Sequence, residues 1–196
     1  MTNFQQKPIY KICTAAVLIA LSTVLSLVKV FEMPLGGSIT LLSMVPVCLI
    51  SIMYGPVFAI APCIIYGAIQ MLLGNPFSWG LTPATLIGCI AFDYIIAFGV
   101  LCTAGLFREK GFKGIVCGIV FACALRFFSH FISGVVFFAK LEQFKLFGNT
   151  FVNHPVLYSV CYNSFFMLPE TALTVLCSIP LFKTKAIKRF LLGEKQ

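Results

Sequence analysis

The chain has 196 residues, 60% of them hydrophobic and 10% charged, with a mean hydropathy of +1.01. A soluble domain carries about 25% charged and roughly 45–50% apolar residues, so a soluble enzyme, a disordered chain and a small disulfide-stapled secreted domain are all excluded. Fourteen Lys and Arg against 6 Asp and Glu give a net charge of +8, but most of the cations lie at ends and joints of apolar runs, unlike a nucleic-acid-binding face. An integral membrane protein remains.

A spanning helix needs roughly 20 mainly apolar residues. Six stretches fit, near Tyr10–Val30, Ser38–Tyr54, Val57–Leu73, Thr82–Leu106, Gly114–Phe138 and Val156–Phe182. The second and third are short and parted only by Tyr54-Gly55-Pro56. The expected architecture is an all-α membrane protein of six transmembrane helices, a single integral membrane domain over residues 1–196. The first run leads directly into further spans without a small-residue cleavage site, so it reads as a span and not a removable signal. With the N-terminus inside, the inner segments hold Lys7, Lys11, Arg108, Lys110, Lys113, Lys183, Lys185, Lys188, Arg189 and Lys195. The outer joints hold only Lys29, Lys140 and Lys145, and this positive-inside bias predicts that both termini are cytoplasmic. The Lys183–Arg189 run reads first as topology and second as a lipid-binding tail.

The nine cysteines are scattered through apolar runs, without C-x-x-C or a Cys/His cluster of zinc spacing. They read as small buried hydrophobes, and no metal or cofactor is implied. There is no Walker-type loop, H-E-x-x-H or G-x-S-x-G, and Gly36-Gly37-Ser38 is expected to lack the preceding strand of a nucleotide fingerprint. The expectation is a binding protein without an ATPase site or enzymatic centre of its own.

Ionisable groups inside spans are costly and mark function by default. Four occur: Asp93, Arg126, His130 and Glu170. At ~1.5 Å per residue, Arg126 and Glu170 fall near mid-membrane, where an ion pair between them would brace the fifth and sixth spans. Arg126 and His130 share a helix face at i and i+4. Asp93 is left without an evident partner, while Tyr94, Trp79, His130, Tyr158 and Asn163 lie toward the same outer half. A carboxylate among aromatic faces suits a flat organic cation, and amide, imidazole and hydroxyl groups would direct it by hydrogen bonds. The plainer reading makes Asp93 a protonated acid bonded to a backbone carbonyl, and the aromatics an interfacial belt.

Five stretches carry a family resemblance: MPLGGSITLLSMVP (Met33–Pro46), YGAIQMLLG (Tyr66–Gly74), DYIIAFGVLCTAGLF (Asp93–Phe107), RFFSHFISGVVFF (Arg126–Phe138) and YSVCYNSFFMLPE (Tyr158–Glu170). In this order they resemble the thiamine-specific S component of energy-coupling factor (ECF) transporters, over about Ala16 to Phe182. The resemblance implies a six-helix vitamin-binding subunit that works with a transmembrane coupling component and two cytosolic ATPases in a bacterial cell membrane. It further implies that Asp93, Tyr94, His130, Tyr158 and Asn163 occupy the positions of the thiamine pocket, with Phe138 where other members have a stacking Trp. Asp93 replaces a Glu, and Gly37 and Leu41 replace a Trp and a Glu near the second helix, a loss for which Trp79 is a candidate substitute. Ala16 and Ala20 match the small-residue face by which the first helix docks on the coupling component; Ser22 and Ser26 continue the small-residue spacing.

Thiamine capture from outside, closure by the loop after the second helix or before the fourth, and ATP-driven delivery are therefore expected. Alternatives are an S component for another vitamin such as riboflavin or a thiamine precursor, and a self-sufficient proton-coupled importer with Asp93, Glu170 and His130 as relay. A small membrane enzyme is a third class that no motif supports.

Overall fold

The structure, a computed structural model, describes residues 7–33, 36–138 and 154–184, and the backbone alone of 145–146 and 149–150. Lys140, Lys185, Lys188, Arg189 and Lys195 of the orientation argument lie outside the described residues, as does most of the basic run beginning at Lys183.

Helix α1 spans Pro8–Leu27 and opens with Pro8 at its first position, where the missing N–H costs nothing. It ends before the expected Val30 because the alternating Lys29-Val30-Phe31-Glu32 forms strand β1, which pairs antiparallel with β2, Ser38–Thr40. Gly36, at φ +90°, lies in the connection, a backbone conformation suited to glycine. The Gly36-Gly37-Ser38 segment thus follows a strand, contrary to expectation, but belongs to a hairpin and opens no helix.

Helix α2 covers only Met44–Tyr54, so the expected span Ser38–Tyr54 is corrected. Pro46 lies in its first turn; extending the helix backward would put Pro46 in a helix interior, where it clashes with the preceding turn. Helix α3, Pro56–Gly74, follows after Gly55 alone, so no loop exists there to act as a gate. A short 3₁₀ turn, Pro76–Trp79, leads to α4, Pro83–Gly105. Helix α4 contains a π-helical stretch at Ile90–Ile96 and ends as 3₁₀ helix. Helix α5, Gly111–Ser133, continues as a π turn through Phe138. The two-residue strands β3 (Lys145–Leu146) and β4 (Asn149–Thr150) pair before the 29-residue α6, Pro155–Lys183.

Five of these six helices are long and apolar enough to cross a membrane; α2 is the exception. Glycines let the bundle close. A Cβ at Gly118 would fall 2.1 Å from the Ala104 carbonyl oxygen, and one at Gly88 would fall 2.5 Å from the Phe137 ring. Large apolar side chains such as Ile9, Val17, Val57, Leu72 and Leu168 point outward, as expected of helices solvated by lipid. Only Cys48, Cys63, Cys89 and Cys123 are buried as expected; Cys13 and Cys117 are exposed on outward helix faces, and all nine cysteines are free. At one end of the bundle Lys11 lies 6.0 Å from the Tyr54 ring, and Arg108 donates to the Ile52 and Met53 carbonyls at the close of α2. Lys183 lies over Phe112 where α5 begins. The hairpin β1–β2 and the Pro76–Trp79 turn occupy the other end.

Candidate functional site: a polar cavity inside the bundle

All seven expected binding residues, Trp79, Asp93, Tyr94, His130, Phe138, Tyr158 and Asn163, line one cavity of about 670 Å³. Its walls come from the helices and from the hairpin, whose residues Lys29, Glu32, Met33, Gly36 and Gly37 also face it.

Asp93 sits in the π stretch of α4, and such widened turns redirect side chains, often at functional sites. Ser129 on α5 donates to the Phe92 carbonyl at 2.5 Å, meeting a backbone group that the widened turn presents to its neighbour. Asp93 is not partnerless, which corrects the sequence expectation. Its Oδ1 is 2.8 Å from His130 Nδ1, and its Oδ2 accepts from Ser133 Oγ at 2.5 Å. His130 and Ser133 are successive polar positions on one face of α5, so the carboxylate is clamped from a single helix. With Nδ1–H donated to the carboxylate, the neutral imidazole presents Nε2 as an acceptor. That atom is buried, has no protein partner, and belongs to a residue lining the cavity.

Helix α6 supplies the facing wall. Asn163 spends its amide nitrogen on Ser159 of its own helix, at 2.9 Å to the carbonyl and 3.1 Å to Oγ, so its Oδ1 is the group available to a ligand. Tyr158, Tyr162 and Phe166 follow at i, i+4 and i+8, with ring centroids 5.7 and 5.8 Å apart, and Phe166 meets His130 edge-on at 5.8 Å. Sequence reasoning passed over Tyr162 and Ser133. Both were findable, Tyr162 one turn from Tyr158 and Ser133 on the Arg126/His130 face.

The mouth is formed by two loops. The Trp79 ring lies against Gly36, where a Cβ would come within 2.7 Å. Gly37 N–H donates to Tyr162 Oη at 3.2 Å, and Phe31 meets Phe165 edge-on at 5.4 Å.

The expected Arg126–Glu170 ion pair is not formed. Glu170 instead accepts from the Thr40 backbone N–H and hydroxyl, both at 2.6 Å, and from Ser43 Oγ at 3.5 Å. Arg126 contacts Met44 Sδ at 2.6 Å and lies over the Phe98 ring at 4.3 Å. The hairpin, unrecognised in the sequence, supplies Glu170 with close neutral donors and so removes its need for a direct cation. Ala16 and Ala20 lie on the exposed face of α1, whereas Ser22 and Ser26 are buried in the bundle; the four do not form one face.

A carboxylate held beside an imidazole and surrounded by aromatic rings is arranged to bind a flat, positively charged heteroaromatic molecule. The sequence from residue 12 to 190 matches the family model described as thiamine transporter protein. This chain belongs to that family. Across 195 residues it is 29% identical to the thiamine transporter ThiT of Bacillus subtilis (strain 168), covering 92% of this chain and 94% of that relative. The solved structure of ThiT from Listeria monocytogenes superposes with a TM-score of 0.72 at 22% identity, over 93% of this chain and 97% of the other. The second likeness shows a shared fold. Together they make this chain a multi-pass membrane protein of a transporter family, not of an enzyme family.

Proposed function

We propose that this chain binds thiamine as the S component of an ATP-driven ECF transporter in the bacterial cell membrane, with both termini cytoplasmic. The carrying observation is Asp93, held by His130 and Ser133 on the wall of an aromatic-lined cavity, in a chain of the thiamine transporter family. The thiazolium ring bears a fixed positive charge, which Asp93 balances. Phe138, Tyr94 and Trp79 offer ring faces, while His130 Nε2, Asn163 Oδ1 and the Tyr158 hydroxyl address the aminopyrimidine. The gate is the meeting of the β1–β2 hairpin with the loop before α4, at Gly36 and Trp79. The exposed Ala16/Ala20 face of α1 docks on the coupling component, and two cytosolic ATPases supply the energy.

Titration calorimetry of the purified chain with thiamine tests the binding site. Asp93→Asn and Asn163→Ala are each expected to weaken binding by ten- to a hundredfold, as for lost hydrogen bonds involving a charged or buried group worth roughly 1.5–3 kcal/mol. Unchanged affinity in both variants would refute the site. Reconstitution with and without the coupling component and ATPases tests the transport role: uptake by this chain alone under a pH gradient would favour the proton-coupled alternative.

A further inference from the structure

Helices α4 and α5 are joined beside the cavity by hydrogen bonds that converge on two consecutive residues of α4. His130 and Ser133 hold the Asp93 carboxylate, and Ser129 donates to the Phe92 carbonyl at 2.5 Å. Serine and threonine hydroxyls within helices commonly bond back to a carbonyl of their own helix, as Thr23 and Thr174 do here. Ser129 instead reaches across to its neighbour. It is 4% exposed and does not line the cavity, so it touches no ligand held there.

The carbonyl it meets is the one at which the ladder of α4 changes. In an α-helix the Phe92 carbonyl accepts from the N–H four residues on, that of Ile96. In the π stretch Ile90–Ile96 it accepts from Ala97 N–H, a donor shared with the Tyr94 carbonyl. A shared donor satisfies neither acceptor fully, and backbone carbonyls away from water need partners. Ser129 Oγ supplies the missing donor, from a fixed place on the adjoining helix. Tyr94, the next residue, is held from the other side by α3. A Cβ at Gly67 would fall 2.7 Å from the Tyr94 carbonyl oxygen, and one at Gly74 would fall 2.5 Å from its hydroxyl.

We propose that Ser129 is a positioning residue for recognition of the ligand's positive ring: its bond to Phe92 holds α4 in the π register that aims Asp93. The assignment rests on the thiamine reading and deepens it, adding a group that acts on the ligand only through the acid. Without the hydroxyl the π turn loses its external donor and tightens toward the α register. Tightening turns the residues on its two sides by up to about 100° relative to each other. With Tyr94 anchored on α3, that movement falls on Phe92 and Asp93. The carboxylate is then drawn off His130 and Ser133, and the cationic ring loses an oriented counter-charge. Contacts to the uncharged parts of the ligand, from α6 and Phe138, are kept.

The test is calorimetry of the full chain in detergent with two ligands: thiamine, and a neutral isostere with thiophene in place of thiazolium. Alanine is a strong helix former, so Ser129→Ala is expected to fold. It is expected to weaken thiamine about three- to tenfold, for one lost hydrogen bond, and the neutral isostere less than twofold. In an Asp93→Asn background the same substitution is expected to cost thiamine less than twofold, because coupled residues are not additive. A merely structural role would weaken both ligands alike and add in full to the Asp93→Asn loss. That pattern, or unchanged thiamine affinity in Ser129→Ala, would overturn the positioning role and leave the thiamine reading intact. Failure of the unsubstituted chain to bind thiamine would overturn both.

Discussion

Asp93 shows how a half-buried charge is made tolerable and useful together. Its two oxygens are each engaged, one by His130 and one by Ser133, so the carboxylate is oriented before a ligand arrives. Such orientation reduces what binding must spend on ordering side chains. Ser133 touches Asp93 and is itself fully buried, and it acts through the acid it holds. Ser133→Ala is therefore expected to weaken thiamine binding about three- to tenfold, because only part of the roughly 1.5–3 kcal/mol of a hydrogen bond to a charged group reaches the ligand through Asp93. Calorimetry reads the affinity and a thermal melt checks that stability is kept; rescue by Ser133→Thr separates a lost hydroxyl from a lost shape.

At the scale of elements, the hairpin and α6 form one unit. Met33 packs against Phe166 and Met167, Gly37 N–H rests on Tyr162, and Glu170 holds Thr40. Removing the Tyr162 hydroxyl leaves the Gly37 N–H without its acceptor at the cavity mouth. Tyr162→Phe is expected to raise the ligand dissociation rate about fivefold, for a bond worth ~1 kcal/mol, with a smaller change in association rate; stopped-flow fluorescence of Trp79, the only Trp in the sequence, follows both. The α4–α5 contact depends instead on absent side chains. Gly118→Ala would drive a Cβ to 2.1 Å from the Ala104 carbonyl oxygen and is expected to destabilise by ~1–3 kcal/mol. This should appear as a melting temperature lowered by several degrees in detergent. Gly118 does not line the cavity, so thiamine affinity at low temperature should be preserved.

For the whole molecule, the cavity and the cation-rich end lie at opposite poles. Lys11, Arg108 and Lys183 mark one pole by their contacts with Tyr54, Ile52, Met53 and Phe112. Lys29 and Glu32 pair at 2.5 Å on the exposed hairpin at the other. A positive-inside orientation makes the cavity open outward. In intact cells a membrane-impermeant amine reagent is then expected to label Lys29 and leave Lys110 and Lys113 unmodified until the membrane is permeabilised. The reverse pattern would invert the topology.

Composition and the length of the apolar runs were enough to determine a helical membrane protein, because a bilayer leaves the backbone no alternative to internal hydrogen bonding. The same constraint made Asp93, Arg126, His130 and Glu170 legible as candidates, since a membrane span keeps an ionisable group only for a reason. Which of them meet was decided by the tertiary structure. Arg126 and Glu170 share a depth, and depth suggested a pair; the hairpin and the start of α2 instead bring Thr40 and Ser43 onto Glu170 from some 130 residues away. Asp93 looked alone because its partners sit on another helix, and it meets them from a π-helical stretch of α4. Hydropathy along one chain reports how far into the membrane a residue lies. The angle at which its side chain leaves the helix, and the donor it finds there, depend on how the neighbouring helices are turned and where a glycine lets them approach.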